Sequence, residues 1–370
     1  MGRRYTERTV FPRRPSQSAG SAYPDFTYVE AKQLDSWLAN STSNPLAIIS
    51  FGAPVGGPVG CPVVSLNLPQ LLSPARVEVW RSVQPVRAVR QDYFSAAMND
   101  EVAAVFFTAE ERAGAALEDT IYTAYRRLLR ELRELGYPHL WRAWNYFPGI
   151  NDDAGGLERY QRFCIGRHQA LVEALPDFPA SLPAGTAVGT VSGPVHIFVL
   201  AGTRPATHLG NPRQVHAYNY PDSYGPRSPS FARATVTQFD GTGRLFLAGT
   251  ASVVGHYSRH LGLPEEQTQE TLVNLRAMLT HADDLAGTDF TANQYKAVYK
   301  AYVRNEKDLP AIQRTLERSA FFPERLIFLQ GSLCRRELLV EIEGLLASAD
   351  SSHDLPMTPR DLMKNGGTSA

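Results

Sequence analysis

Two long amphipathic segments about 150 residues apart, each set among the same succession of shorter patterns, constrain the fold of this chain more than any other feature. The first spans about Ala109 to Leu135. Leu117, Ile121, Tyr125, Leu128, Leu132 and Leu135 recur every three or four residues, while Arg126, Arg127, Arg130 and Arg133 lie off that stripe. That spacing is helical, and Gly136 and Pro138 stop it. An aromatic strand (His139 to Phe147), a shorter helix (about Leu157 to Leu175) and a β-branched strand (Val188 to Leu200) follow. The second long helix opens at Pro264, with Glu265 and Glu266 near its positive end, and carries Leu272, Leu275 and Leu279 on one face. A buried strand (Arg244 to Val254) precedes it. Tyr295 to Val303, readable as strand or helix, comes next, then a helix at Leu309 to Ser319 and strands at Leu326 to Leu329 and Leu338 to Leu346. The fold class is therefore α+β: two copies of one unit, each a mixed or antiparallel sheet with helices on one face. The offset is far too long for a solenoid repeat.

The 370 residues suffice for two such units with a full core. Expected boundaries are an N-terminal arm over 1–25, a first unit over 26–200, a connector over 201–230, a second unit over 231–350 and a polar tail over 351–370. The connector is rich in Pro, Gly, Asn and Tyr, and loops of that length inside a compact protein are usually functional. His216, Tyr218, Asn219, Tyr220, Tyr224 and Arg227 can bond to or stack on a small ring, so the connector reads as a ligand wall rather than a tether.

Thirty-seven basic and 37 acidic side chains cancel, which removes the long-range field that a general nucleic-acid binder needs. No run of about 18 apolar residues marks a membrane span. The arginine-rich start lacks the apolar stretch of a secretion signal, so a soluble cytoplasmic protein is expected. Three widely spaced cysteines (Cys61, Cys164, Cys334) exclude a disulfide framework or a cysteine-rich zinc site. Gly52 to Gly60 lacks the Lys-Ser/Thr of a phosphate loop, and neither HExxH nor GxSxG occurs. His256 and His260, at i and i+4, could share a helix face, but no third ligand is placed to complete a metal site.

What remains is the closing stretch Leu339-Val340-Glu341-Ile342-Glu343. On a strand the two carboxylates share one face, opposite Val340 and Ile342. If that face is buried, desolvation raises a carboxyl pKa and makes a general acid usable near neutral pH. If it is exposed, the glutamates only keep an edge soluble. Spacing alone leaves both readings open. Cys334 lies seven residues before Glu341, followed directly by Arg335 and Arg336. A nearby arginine can lower a thiol pKa, yet a lone cysteine is more often a small hydrophobe.

Five motifs carry a resemblance: RAWNYFPGIN (Arg142 to Asn151), GLERYQRFCIGR (Gly156 to Arg167), NYPDSYGPRSPSFARA (Asn219 to Ala234), LFLAGTASVVGHYSRH (Leu245 to His260) and CRRELLVEIEG (Cys334 to Gly344). With them, the C-terminal half looks like the Rid/YjgF fold, and the whole chain resembles the chorismatase family of chorismate hydrolases and 3-hydroxybenzoate synthases. The resemblance implies chorismate as the small-molecule substrate, no cofactor and no metal. It implies Glu341 as the acid that protonates the enolpyruvyl methylene, with Glu343 its inseparable neighbour on the strand. It also implies Arg162, Arg167 and Arg233 as carboxylate anchors, Tyr220 as a hydroxyl donor beside the ring, and Gly249 (or Ala248) as the small residue near it. Bidentate arginine suits carboxylates. In the synthase branch a cysteine stands seven residues before the glutamate, as Cys334 does, so 3-hydroxybenzoate and pyruvate are the expected products. The alternatives are the chorismate hydrolase, giving a dihydroxycyclohexadienoate and pyruvate, and a non-catalytic Rid-like module that binds an aromatic metabolite. Rid proteins trimerise, but a chain holding two units can cover much of that surface internally, so a monomer is expected.

Overall fold

The computed structural model describes residues 8–10, 25–112, 114–239, 242–294, 297–319 and 325–348. The expected N-terminal arm, apart from a short strand, and the expected C-terminal tail lie outside them. The elements run β1 (Arg8–Val10), β2 (Asp25–Glu30), α1 (Leu34–Asn40), β3 (Asn44–Phe51), β4 (Val63–Leu66) and β5 (Arg76–Ser82). Then come β6 (Arg87–Gln91), β7 (Phe94–Met98), β8 (Val102–Ala109), α2 (Leu117–Leu135), β9 (His139–Pro148), α3 (Arg159–Ala174), β10 (Ala184–Thr190) and β11 (Val195–Gly202). After the connector follow β12 (Thr207–Leu209), β13 (Ala234–Phe239), β14 (Thr242–Ala251), β15 (Val253–Val254) and β16 (Tyr257–Ser258). The chain closes with α4 (Pro264–Ala286), β17 (Val298–Val303), α5 (Leu309–Arg318), β18 (Arg325–Gln330) and β19 (Val340–Ala347).

Two α+β units are present in the expected order. In the first, β8, α2, β9, α3, β10 and β11 build a sheet with the order β8-β11-β9-β10; in the second, β14, α4, β17, α5, β18 and β19 build the order β14-β19-β17-β18. In each, one neighbouring pair is parallel (β9 with β10, β17 with β18) and the others are antiparallel. The sheets are thus mixed. The first long helix begins at Leu117 rather than near Ala109, because residues 102–109 are the buried strand β8. Gly136 ends that helix with φ 92°, in the left-handed region where glycine is strain-free. Val188 to Leu200 is two strands, broken at residues 191–194.

A third, shortened copy precedes them. Strands β2, β3, β4 and β5, with α1 after β2, form a sheet of their own with the order β2-β5-β3-β4. Its only parallel pair is again the third and fourth positions, β3 with β4. This is the same connectivity, with a seven-residue first helix and a loop over residues 52–62 in place of the second. The stretch from 26 to 200 therefore holds two sheets. Missing helices explain why hydrophobic periodicity does not announce this copy.

The helices lie on the outer faces. α2 and α3 cover the seven-stranded sheet, α4 and α5 the six-stranded one, and α1 the four-stranded one. The inner faces meet in one shared core that includes Phe26, Trp80, Phe106, Trp144, Phe198, Tyr302 and Leu329. Trp144 stacks on Phe198 at 4.7 Å between centroids, and Trp80 meets both edge-on.

Candidate active site

Where β10 of the first unit approaches β14 and β19 of the second, a cavity of about 240 Å³ opens, of a size for a small molecule. The connector closes one side through Tyr220, Ser223, Tyr224, Pro229 and Ser230, and α3 closes another. The strand β19 alternates as its sequence predicts, and the face carrying both glutamates is the buried one: Glu341 is 5% exposed and Glu343 is 2% exposed.

The two carboxylates have opposite surroundings. Glu343 is saturated with donors: Arg142 Nη2 at 2.7 Å, Thr186 Oγ1 at 2.6 Å, Trp144 Nε1 at 2.8 Å, Tyr302 OH at 3.0 Å and Lys300 Nζ at 2.9 Å. Lys300 and Arg142 hold its carboxyl below the usual range despite burial. Glu341 lines the cavity instead, and its carboxylate finds no hydrogen-bond donor among the described residues. Burial, reinforced by the negative charge of Glu343, pushes its carboxyl up to about 8, against the pull of Arg142, Arg233 and Arg304. Two chemically identical side chains are thereby split into a fixed anion and a neutral acid.

A β-bulge makes room for that acid. Between Leu247 and Thr250 strand β14 advances one residue more than its partner β19, leaving Ala248 and Gly249 opposite Glu343. The N–H of Gly249 turns out of the ladder and donates to Thr186 Oγ1 at 2.9 Å. Any Cβ on Gly249 would sit 2.1 Å from Glu341 Oε1, so the glycine is a space requirement of the acid. Thr186 Oγ1 also accepts from Arg142 Nη2 at 2.5 Å while donating to Glu343. That single hydroxyl uses its full hydrogen-bonding capacity to tie the two units together.

Two arginines supply positive charge. Arg167 is buried on α3; its Nε donates to Tyr125 OH at 2.9 Å and its Nη1 to the carbonyl of Ser230, leaving Nη2 without a hydrogen-bond partner. Arg233 donates from Nη2 to Tyr220 OH at 2.5 Å, and its Nε is likewise unsatisfied. Orphaned buried N–H groups on two cavity-lining arginines are what an anion would complete. Tyr220 is fixed from the other side by Arg335, whose guanidinium lies 5.1 Å from its ring centroid. Cys334 lines the same cavity. Burial, with Glu341 beside it, pushes its thiol up to about 12, so it stands there as a neutral thiol and not as a nucleophilic thiolate.

Known proteins are similar to this chain over much of its length. A family description, chorismatase FkbO/Hyg5-like, N-terminal, matches residues 78–201. A 3-hydroxybenzoate synthase of Streptomyces hygroscopicus is 39% identical over 233 residues, which are 60% of this chain and 68% of that protein. A chorismatase of the same organism is 34% identical over 293 residues, 78% of this chain and 84% of its own length. The chain belongs to the chorismatase family. It is an enzyme of that family, and a crystal structure of a chorismatase matches it with a TM-score of 0.78 at 30% identity, covering 89% of this chain and 100% of the other.

Within this chorismatase fold, the cavity gathers Arg167, Tyr220, Arg233, Gly249, Cys334 and Glu341 from the residues expected from sequence. Arg162 is elsewhere: it pairs with Glu118 at 2.6 Å and donates to the carbonyl of Ala154. Of the connector side chains expected from sequence to form a ligand wall beside Tyr220 (His216, Tyr218, Asn219, Tyr224 and Arg227), only Tyr224 lines the cavity, while His216 and Tyr218 stack on each other at 4.9 Å. His256 and His260 share no helix. His256 sits in the turn between β15 and β16, and His260 pairs with Glu270. Missing from the sequence reading were Thr186, Ser230 and Phe231 of the lining, and Arg142, Trp144 and Lys300 behind Glu343. A signal for the last group existed: Arg142 and Lys300 stand in largely apolar strands, where a buried cation demands a buried acid.

Proposed function

We propose that the enzyme cleaves chorismate to 3-hydroxybenzoate and pyruvate, with Glu341 as the proton donor. The observation that carries this reading is a buried carboxyl, pushed up to about 8, facing a cavity that two incompletely bonded arginines also line. Chorismate carries two carboxylates and an enolpyruvyl ether. Arg167 and Arg233 suit the carboxylates, with Tyr220 placed beside the ring. Glu341 gives its proton to the methylene carbon of the enol ether, which leaves an oxocarbenium-like centre; neutral carboxylic acids perform such slow carbon protonations best when positioned and dry.

Loss of pyruvate then breaks the bond between the ether oxygen and ring carbon 3. The neighbouring hydroxyl oxygen on carbon 4 bonds to carbon 3 in its place and its bond to carbon 4 opens. The ring surrenders one net proton as it becomes aromatic, which leaves the hydroxyl at position 3. The atoms of chorismate equal those of 3-hydroxybenzoic acid plus pyruvic acid, so no water is consumed and the acid is reset. The chemistry asks for no cofactor. Similarity to a 3-hydroxybenzoate synthase and the place of Cys334 beside the acid support this product over the hydrolytic one. The neutral thiol is suited to shaping the ring's surroundings, not to covalent attack.

Incubating the purified chain with chorismate in EDTA and identifying the products tests this directly. 3-Hydroxybenzoate and pyruvate in equal amounts are expected. A dihydroxycyclohexadienoate with pyruvate would replace the synthase reading by the hydrolase, and an absence of pyruvate would sink both. Glu341→Gln is expected to bind chorismate yet release pyruvate at least about 100-fold more slowly.

A further inference from the structure

Behind the acid lies a charge cluster that the reaction itself does not touch. Lys300, 2% exposed on β17, places its ammonium 2.9 Å from Glu343 Oε1 and 3.0 Å from Glu78 Oε2. Glu78 is fully buried on β5 of the shortened third sheet and accepts from Trp80 Nε1 at 2.5 Å. Arg142 on β9 completes the set, 2.7 Å from Glu343. Each of the three sheets thus contributes charge where they meet, and the two cations and two anions balance. Two cationic partners and three further donors favour the charged form of the Glu343 carboxylate and hold its carboxyl below the usual range. Along β19 it stands about 7 Å from Glu341, on the same face.

We propose that Glu343 is a positioning residue: clamped as a permanent anion by Lys300 and Arg142, it keeps its strand neighbour Glu341 in the neutral, proton-bearing form. The inference rests on reading Glu341 as the proton donor. The other groups facing Glu341 are Arg142 on β9, Arg233 ahead of β13, Arg304 behind β17, Cys334 in the loop before β19 and Tyr160 on α3. Three of these are cations that would draw the proton off. All three are engaged elsewhere: Arg142 by Glu343, Arg233 by Tyr220, and Arg304 by Asn151 and the carbonyls of Leu333, Arg335 and Leu338. Glu343 is the opposing negative charge, and the cluster reaching to Glu78 holds it in place.

The test is the pH dependence of pyruvate release from chorismate between pH 5.5 and 9, a range set on either side of the value near 8. In Glu343→Gln the like charge is gone and two cations remain, so the limb on which activity falls with rising pH should move down by at least about one pH unit. Activity at pH 8 should then drop roughly tenfold relative to the same variant's rate at its acid optimum, beyond any drop in the native enzyme. KM should change less than kcat. A merely structural role would lower the rate equally at every pH, and an unmoved limb in the folded variant overturns the proposal. Should the single variant not fold, Glu343→Gln combined with Lys300→Met keeps the cluster's charge balanced, and its limb should move the same way; an unmoved limb there is equally decisive.

Infrared titration of the protonated carboxyl band, assigned by its loss in Glu341→Gln, reads the same ionisation without substrate. If the native chain releases no pyruvate, the proposed reaction fails, and the band alone decides the role of Glu343: a band that titrates at the same pH with and without Glu343 refutes it.

Discussion

At the residue scale, the property that matters is where Glu341 keeps its proton. An ordinary glutamic acid ionises near 4.5, and burial with the Glu343 charge pushes this one up to about 8. Between those values the native state holds a proton that the unfolded chain has lost. Stability contributed by this site therefore falls as pH rises from about 4.5 to about 8, and the full penalty applies above that range. Glu341→Gln should consequently raise the melting temperature at pH 8.5 and leave it nearly unchanged at pH 4.5, as calorimetry would read. With Glu341 as the proposed proton donor, activity should follow the same ionisation in the same direction, because only the protonated form can donate: kcat should fall about tenfold per pH unit well above 8. Gly249→Ala tests the space beside the acid. The added methyl meets the flexible end of Glu341, which can move, so the protein should fold while pyruvate release falls at least about tenfold from a misplaced donor.

At the element scale, α3 explains why a motif is not a site. Arg162 and Arg167 belong to one continuous sequence motif, but five residues of helix rotate a side chain by about 140° relative to the first. Arg167 turns inward to Tyr125 and the cavity; Arg162 turns to Glu118 on α2. Arg167→Ala should raise KM for chorismate at least about tenfold. Arg162→Ala should leave KM within about twofold and cost about 1 kcal/mol of stability, as a partly exposed ion pair does. Steady-state kinetics and denaturant unfolding separate the two. The strand β19 is the opposite case, because a period of two puts Glu341 and Glu343 on one face without ambiguity. Which carboxyl is the acid was not legible there, for the donors that separate them come from β9, β10 and β17.

At the scale of the whole molecule, three copies of one strand order pack their inner faces into a common core, and their helices cover the outside. A single unit of this type must bury that inner face against others; here all three are joined in one chain. Light scattering in solution should accordingly report a monomer, and a stable trimer would show that the shared core leaves another adhesive face. Two of the three copies were readable from the sequence because each contains long helices whose apolar period stands out. The third has a seven-residue helix and a loop where the second should be, so its kinship lies only in strand pairing, which sequence does not display. By itself the sequence determined the alternating face of β19, the two helical units, the balance of charges, and the motifs of the chorismatase family. Tertiary structure decided that the glutamate face is buried, that Glu343 is clamped by Arg142 and Lys300 while Glu341 faces the cavity, and that Arg162 stands apart. Periodicity is a local property of a chain, whereas a proton's affinity is set by charges and burial brought together from residues hundreds of positions apart.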